Sequence, residues 1–424
     1  MMSVESIPSA DVDLSDISTP AYVINLDVFR RNYEELQRAF LAIYPGVEIG
    51  YSYKTNYARP IIEMNRLLGG KPEVVSSFEL ELALSTGHAG SDIYFNGPLK
   101  YDWELIKIIE LGARLNVDSL EELVRVSSLA EQMKMSFGVG IRVAFESSET
   151  LGGSRFGVEY PSSDFELAVE LIRESPYLTL NGIHAHYAKR DVSTVKATAI
   201  NLSDLCVKLL REAAVQLKYV LIGGGFSGPM DQTFASQITT ESRTFQDYAS
   251  ACAVPMASIQ MAYAGVTLPT LVLEPGTALV ADAMDYLCRV RTRKARTQRS
   301  DIAVTDGSQF AMGGNATPIR PCWSVLDADT GRPLKRPRSD SQKSIDIVGY
   351  TCVESDVLVR ETTQDILVGD LINFKYQGAY SIVMRPPFIR MEEMVYVLSH
   401  DTGLRLVRDK VDLSQYFDSY ATSF

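Results

Sequence analysis

The chain has 424 residues, of which 46% are hydrophobic and 22% are charged, a length that fits two domains better than one. The net charge of −12 argues against nucleic acid or an anionic membrane surface as a partner, because both select basic proteins. The N-terminus "MMSVESIPSADVDLSD" lacks the basic and apolar regions of a signal peptide, and no apolar run reaches about 18 residues, so we expect a cytoplasmic protein without a membrane span.

Short apolar runs alternate with amphipathic helical stretches between about residues 20 and 280. In chain order the runs are "AYVINL", "GYSYK", "PEVVSS", "DIYFNGP", "RLNVDS", "VGIRVA", "LNGIHAHY", "YVLIGGGF" and "PTLVLEPG". Short strands separated by helices of about 10 to 15 residues are typical of βαβ units and a parallel sheet. About eight units over roughly 250 residues favour a closed, TIM-like (β/α)8 barrel over an open α/β sheet.

The pattern changes after about residue 280, where short alternating runs such as "RSDIAVTD", "SIDIVGYTC" and "DLINFKYQGAY" are separated by turns. Such runs predict an antiparallel β-domain. We therefore expect three segments: an N-terminal segment, 1–27, that joins the β-domain; a barrel over 28–280; and the C-terminal β-domain over 281–424.

Two unusual charged residues lie where barrel strands are predicted to end, which is where barrel enzymes place their chemistry. Lys54 follows "GYSY", and Glu274 follows "TLVL". A buried lysine whose pKa is lowered can attack a carbonyl, although an exposed lysine in a turn is the commoner case. A buried glutamate needs a partner, such as a protonated pyridine nitrogen, a helix N-terminus or a structural ion pair.

Two further motifs follow predicted strands. Gly223–Gly225 in "LIGGGFSG" could bind an anion through backbone N–H groups, or could simply form a tight turn. His184 and His186 in "GIHAHY" lie on one face of a strand and could bind metal, cover an aromatic ring or belong to the core. We expect no metal site, because no further ligands are evident nearby and the five cysteines show no CxxC spacing.

Together these residues match the groups of one cofactor, pyridoxal 5'-phosphate. The lysine suits its aldehyde carbon, the glutamate its ring nitrogen, the glycines its phosphate, and a histidine its ring face. A phosphate-binding barrel without pyridoxal is the simpler alternative.

The order of these motifs resembles the fold-type III pyridoxal-phosphate decarboxylases, which have the alanine-racemase fold and include the ornithine, arginine and diaminopimelate decarboxylases. The resemblance covers nearly the whole chain, through "YSYKTN", "GIHAHY", "IGGGF", "EPG" and, in the β-domain, "GYTCVESDVL" and "YQGAY". It implies that Lys54 binds the cofactor covalently. It also implies that the cofactor contacts Glu73, Arg142, His186, Gly224, Gly225, Glu274 and Tyr380.

Cys352 in "GYTCVESDVL" resembles the cysteine that returns a proton to the reacting carbon after CO2 leaves. The resemblance implies that its loop reaches the active site of the other subunit in a head-to-tail homodimer with shared active sites. A racemase or epimerase on the same scaffold would instead need a second base, usually tyrosine. A non-catalytic relative is a further alternative, and a small buried hydrophobe is the usual role of a lone cysteine.

Several positions depart from the resemblance in ways that concern the substrate. Thr277 stands where an arginine usually follows "EPG", Val353 separates Cys352 from the acidic Glu354, and Lys189 replaces a serine that usually supports the phosphate. Arg320 in "IRPCW" is a candidate clamp for a distal carboxylate. We therefore expect a small-molecule substrate of secondary metabolism, an amino acid or amino-acid conjugate with a non-standard distal group. The alternative is a diaminopimelate- or ornithine-type decarboxylase of primary metabolism.

Overall fold

The computed structural model describes residues 12–145, 153–231, 234, 236–237, 243–262, 267–313, 321–327, 329–336 and 343–418. The chain divides into two compact units. The barrel unit comprises Arg30–Pro229 and Glu241–Leu279, and the sheet unit comprises Met1–Phe29, Met230–Thr240 and Val280–Phe424. The α-helices described are α1 (Leu26–Leu41), α2 (Arg59–Leu67), α3 (Ser77–Ser85), α4 (Asp102–Leu111), α5 (Leu120–Met133), α6 (Ser163–Glu174), α7 (Val192–Ala213), α8 (Phe245–Ala262), α9 (Thr277–Val280) and α10 (Leu413–Asp418).

The barrel unit is a closed ring of parallel strands. Its strands are β2 (Val47–Ser52), β3 (Lys71–Val74), β4 (Tyr94–Phe95), β5 (Arg114–Val117), β6 (Phe137–Phe145), β7 (Val158–Tyr160), β8 (Leu178–His184), β9 (Tyr219–Leu221) and β10 (Thr270–Leu273). The order β2-β3-β4-β5-β6-β8-β9-β10 closes when β10 pairs with β2, and β7 adds to β6 outside the ring. The predicted (β/α)8 barrel is therefore confirmed.

Polar caps fix the connections that follow several of these strands. The side-chain oxygens of Ser76, Ser119, Ser162 and Asp191 accept hydrogen bonds from backbone N–H groups three residues later, at the starts of α3, α5, α6 and α7. Such caps satisfy donors that a helix N-terminus otherwise leaves unpaired. Each of these four loops therefore ends at a defined helix N-terminus.

The sheet unit is mostly antiparallel. Its strands are β1 (Ala21–Asn25), β11 (Met284–Lys294), β12 (Asp301–Thr305), β13 (Trp323–Leu326), β14 (Pro333–Leu334), β15 (Ile345–Val348), β16 (Val357–Thr362), β17 (Leu371–Phe374), β18 (Met394–Ser399) and β19 (Gly403–Arg408). The expectation of an antiparallel domain holds except for two parallel pairs, β1 with β18 and β12 with β15. The first predicted run, "AYVINL", forms β1 in this sheet, so eight of the nine apolar runs close the barrel.

Candidate active site

The ends of three neighbouring barrel strands are bonded together beyond the regular ladder. Ser52 N–H donates to Pro275 O at 3.1 Å, and Ser52 Oγ donates to Glu274 O at 3.2 Å. Glu274 N–H donates to Gly223 O at 2.9 Å. These bonds join the ends of β2, β10 and β9, and so bring the lysine turn, the buried glutamate and the glycine turn to one edge of the barrel.

Lys54 lies in a single 3-10 turn, Tyr53–Thr55, directly after β2. Its Nζ contacts Glu73 Oε2; the Lys54 side chain is 37% exposed, whereas that of Glu73 is 1% exposed. Burial lowers the pKa of Lys54, but the carboxylates of Glu73 and Glu274 outweigh burial and raise that pKa above its ordinary value. The net pKa of this lysine is therefore not lowered in the protein alone, because an acid lies in contact with the amine.

Asn96 joins the two carboxylates of the site. It follows β4, is 3% exposed, and donates from Nδ2 to Glu73 Oε1 at 3.0 Å and to Glu274 Oε1 at 2.8 Å. Its Oδ1 accepts a hydrogen bond of 2.8 Å from Asn116 Nδ2, at β5. One amide thus holds two like charges at a fixed separation and gives each a buried donor.

Glu274 is buried and stays ionised. Burial opposes ionisation, but His184, whose Nε2 lies 3.2 Å from Glu274 Oε2, and Lys54 hold the pKa of Glu274 well below its ordinary value. His184, for which the sequence leaves open the roles of metal ligand, ring neighbour and core residue, is 2% exposed. In the described part of the chain, no group of three His, Cys, Asp or Glu side chains could hold a metal ion.

His186 lies against the glycine turn. Its Nδ1 accepts a hydrogen bond of 2.8 Å from Gly224 N–H. Burial lowers the pKa of His186 to about 3, against the opposing effect of Glu274, so the ring is neutral at pH 7. Because Nδ1 is an acceptor, the proton of the neutral ring sits on Nε2. Its predicted place on a cofactor ring face stays a prediction.

The glycine turn packs too closely for side chains. A Cβ on Gly224 would lie 2.8 Å from Glu274 O, and one on Gly225, at φ +91°, would lie 2.7 Å from Lys189 O. Close approach and left-handed backbone are both conditions that glycine meets without strain. The turn is thus needed for packing, whatever it binds.

Arg142, another predicted barrel residue, lies on β6 and is 7% exposed. Its Nη1 is 3.4 Å from Asp118 Oδ1, and its guanidinium lies over the Phe156 ring at 4.5 Å from the centroid. Its charge is therefore already paired with an acid. The predicted contact with the cofactor is untested.

Three further predicted residues, Cys352, Glu354 and Tyr380, belong to the sheet unit, whereas Thr277 belongs to the barrel unit, at the start of α9. Cys352 and Glu354 are exposed in the loop between β15 and β16, and Tyr380 is half-buried with φ +59°, a conformation that is rare for a residue other than glycine. Asp356 holds this loop: it accepts from Thr351 Oγ1 at 2.7 Å and from two groups at Ser308 and Gln309. Arg320 lies outside the described residues.

Sequence reasoning missed Asn96 and Asn116. Both lie at the ends of barrel strands, in "YFNG" and "RLNVDS". The rule that singled out Lys54 and Glu274, a polar residue at a strand end, would also have found them.

Comparison with known proteins decides the family. Residues 28–281, more than half of the chain, match the family model for the pyridoxal-binding domain of pyridoxal-dependent decarboxylases. The chain belongs to the pyridoxal-dependent decarboxylases. The chain is thus an amino-acid decarboxylase, a carboxy-lyase whose cofactor is pyridoxal 5'-phosphate.

The decarboxylase is similar to diaminopimelate decarboxylases over nearly its full length. It is 29% identical to that of Methanothermobacter thermautotrophicus over 95% of this chain and 92% of the relative, and 27% identical to that of Methanocaldococcus jannaschii over 92% and 89%. The crystal structure of diaminopimelate decarboxylase from M. jannaschii in co-complex with L-lysine matches with a TM-score of 0.82 at 24% identity, covering 96% and 92% of the chains. Within the described residues of the decarboxylase, no helix is long and apolar enough to cross a membrane.

The residues of the decarboxylase fit its cofactor. The Lys54 side chain is partly exposed, and Glu274 keeps the negative charge that a protonated ring nitrogen requires. At the glycine turn, the N–H groups of Gly223, Gly225 and Phe226 donate no hydrogen bond to any described residue, whereas Gly224 N–H is taken by His186. Three unpaired donors in a turn that excludes side chains suit a phosphate.

Proposed function

We propose that this protein is a diaminopimelate decarboxylase. The observation that carries the proposal is the end-to-end similarity to relatives of that activity, 29% identity over 95% of this chain. The relatives give no support to the secondary-metabolism substrate that Thr277 and Val353 predict. The alternative, a diaminopimelate-type decarboxylase of primary metabolism, agrees better with them. They also favour decarboxylation over racemisation.

The reaction removes one carboxylate of diaminopimelate as CO2 and places a proton on the same carbon, which gives lysine. When bound, pyridoxal phosphate supplies an electron-poor ring that accepts the electron pair of the broken C–C bond. The protein must hold the cofactor, keep its ring nitrogen charged, place the departing carboxylate and deliver one proton.

Lys54 is the residue that we assign to hold the cofactor covalently. An amine attacks a carbonyl only in its neutral form, and the raised pKa of Lys54 keeps Nζ protonated in the protein alone. Glu73 Oε2 contacts Nζ and is therefore positioned to take that proton. This gives the buried Glu73 a function as a proton acceptor in addition to its place in the site.

Glu274 is the residue that we assign to the ring nitrogen. The carboxylate is anionic because its pKa is depressed, and it is buried, so its interaction with a cation is weakly screened. Asn96 Nδ2 donates a hydrogen bond to Oε1 of this carboxylate, and His184 Nε2 lies 3.2 Å from Oε2. Such support keeps the charge in place without motion during the reaction.

Cys352 is the residue that we assign to return the proton. Its loop is pinned by Asp356, which leaves the thiol exposed. We propose in the same way that Tyr380 binds the phosphate and that the protein is a head-to-tail homodimer. The residues proposed to bind the substrate are Glu354, Thr277 and Arg320. Cys352→Ala should keep the absorbance of the bound cofactor and slow correct protonation; an unchanged rate and product ratio would remove this role.

The test is CO2 release from each stereoisomer of 2,6-diaminopimelate, with ornithine, arginine and lysine as competitors. We expect one stereoisomer to give lysine with kcat/KM of about 10⁴ M⁻¹ s⁻¹ or more. Lys54→Ala should abolish turnover, whereas Lys107→Ala, which removes a lysine of matching side-chain exposure (35% against 37%) on α4, should not. CO2 from another amino acid alone would overturn the substrate, and solvent deuterium in recovered substrate without CO2 would indicate a racemase.

A further inference from the structure

Arg190 places a positive charge beside Thr277. Arg190 follows β8 in the loop before α7, and its Nη2 lies 3.5 Å from Thr277 Oγ1, the upper limit for a hydrogen bond. Both side chains are half-buried. The residues are 87 positions apart, so the fold rather than the local sequence brings them together.

Thr277 lies between the cofactor lysine and the glycine turn. The preceding residue, Gly276, packs so closely on Thr55 that a Cβ there would overlap the threonine side chain. The following residue, Ala278, packs in the same way against Gly228, at the end of the glycine turn. Thr277 therefore sits within the site.

The backbone that carries Arg190 is fixed on two sides. Its carbonyl accepts a hydrogen bond of 2.5 Å from Tyr248 Oη. The preceding carbonyl, Lys189 O, lies against Gly225, and the next residue, Asp191, caps α7 through Thr194 N–H at 2.7 Å. A pinned backbone limits where the side chain can reach, and the guanidinium contacts Thr277 Oγ1.

Within the described part of the chain, the charge of Arg190 has no acidic partner. Among the described residues, no carboxylate lies within ion-pair distance of its guanidinium, in contrast to Arg142, which pairs with Asp118. A partly buried charge without a counter-ion is unfavourable unless an anion binds to it. Guanidinium groups bind phosphate and carboxylate through paired N–H donors.

We propose that Arg190 and Thr277 form an oxyanion subsite beside the glycine turn. The anion is either the phosphate of the cofactor or a carboxylate of the substrate, two groups of shared chemistry. Thr277 contributes a hydroxyl donor, and Arg190 brings from another loop the cation that position 277 does not itself provide. The absence of arginine at 277 is then no sign of an unusual substrate.

The cofactor arm of the test measures binding to apoenzyme by equilibrium titration, with pyridoxal as the ligand that lacks the phosphate. If Arg190 binds phosphate, Arg190→Ala should weaken pyridoxal phosphate binding by about tenfold or more and leave pyridoxal binding unchanged. Inorganic phosphate should compete with pyridoxal phosphate at lower concentration in the wild type than in the variant. This arm needs no substrate, so it stands even if the proposed function fails.

The substrate arm rests on the proposed function. If Arg190 binds a substrate carboxylate, Arg190→Ala should raise KM for diaminopimelate by about tenfold while pyridoxal phosphate affinity stays constant. Arg190→Lys should weaken the same binding step, of cofactor or of substrate, by less than Arg190→Ala does. The double variant Arg190→Ala/Thr277→Arg returns a guanidinium to the same place and should restore most of the affinity that Arg190→Ala loses.

The matched control is Arg173→Ala, which removes an arginine that is 65% exposed on α6 and paired with Glu170. It should change neither constant. Circular dichroism establishes that each variant is folded. The proposal is overturned if folded Arg190→Ala keeps both constants within twofold, or if the double variant is as weak as Arg190→Ala.

Discussion

Replacing Asn96 by alanine tests whether one amide holds the two carboxylates of the site. The change removes the donors to Glu73 Oε1 and Glu274 Oε1 and leaves Asn116 Nδ2 without its acceptor. A hydrogen bond to a charged group contributes about 1.5–3 kcal/mol, and a buried donor left unpaired costs about 1 kcal/mol or more. The barrel unit should therefore lose about 4 kcal/mol or more of unfolding free energy.

The assay is urea unfolding of the apoprotein, followed by circular dichroism at 222 nm. Asn116→Ala is the graded variant: it removes one hydrogen bond to a neutral group and should cost about 1 kcal/mol. Asn201→Ala, on α7, is the matched control and should change stability by less than about 0.5 kcal/mol. If Asn96→Ala lowered the unfolding free energy no more than Asn116→Ala does, the two carboxylates would not depend on this amide.

Three further predictions concern other parts of the barrel unit. Burial lowers the pKa of His88 to about 4, so the native state binds fewer protons than the unfolded chain, and stability falls as pH drops from about 6.5 towards 4. Urea unfolding at pH 7 and pH 5 should show that the wild type loses about 2 kcal/mol of unfolding free energy that His88→Gln does not lose. Gly224→Ala should cost about 1–3 kcal/mol, because its Cβ would meet Glu274 O at 2.8 Å, whereas Gly153→Ala, with no atom within 4 Å of the added Cβ, should be neutral in the same unfolding assay. Glu73→Gln should remove the carboxylate that raises the pKa of Lys54, so the apoenzyme should react with pyridoxal phosphate at lower pH than the wild type; an unshifted pH profile of this rate would contradict the role given to Glu73.

The barrel could be predicted from the sequence because its signal is repetitive. Each buried parallel strand appears in the sequence as a short apolar run, and an amphipathic helix follows it. The alternation of strand and helix is therefore recognisable even where single segments depart from the pattern. The resemblance to decarboxylases was likewise recognisable from Lys54, His186, Gly223–Gly225 and Glu274 in order. The parallel pairing of β1 with β18 was not predictable, since strand direction depends on a partner far along the chain.

The contacts inside the site were harder to predict, because they join distant positions through ordinary side chains. Asn96 reaches Glu274 across 178 residues, and Arg190 reaches Thr277 across 87. The direction of the Lys54 pKa depends on the same kind of contact, here with Glu73. Burial alone would lower this pKa, so the direction of the shift can be decided only from the three-dimensional arrangement.

The most direct test of the central claim is to find which amine carries the cofactor. The enzyme loaded with pyridoxal phosphate is reduced with borohydride, digested and analysed by mass spectrometry. We expect a phosphopyridoxyl group on the peptide containing Lys54 and none after Lys54→Ala. A label on another lysine of the wild type, or on no peptide at all, would contradict it.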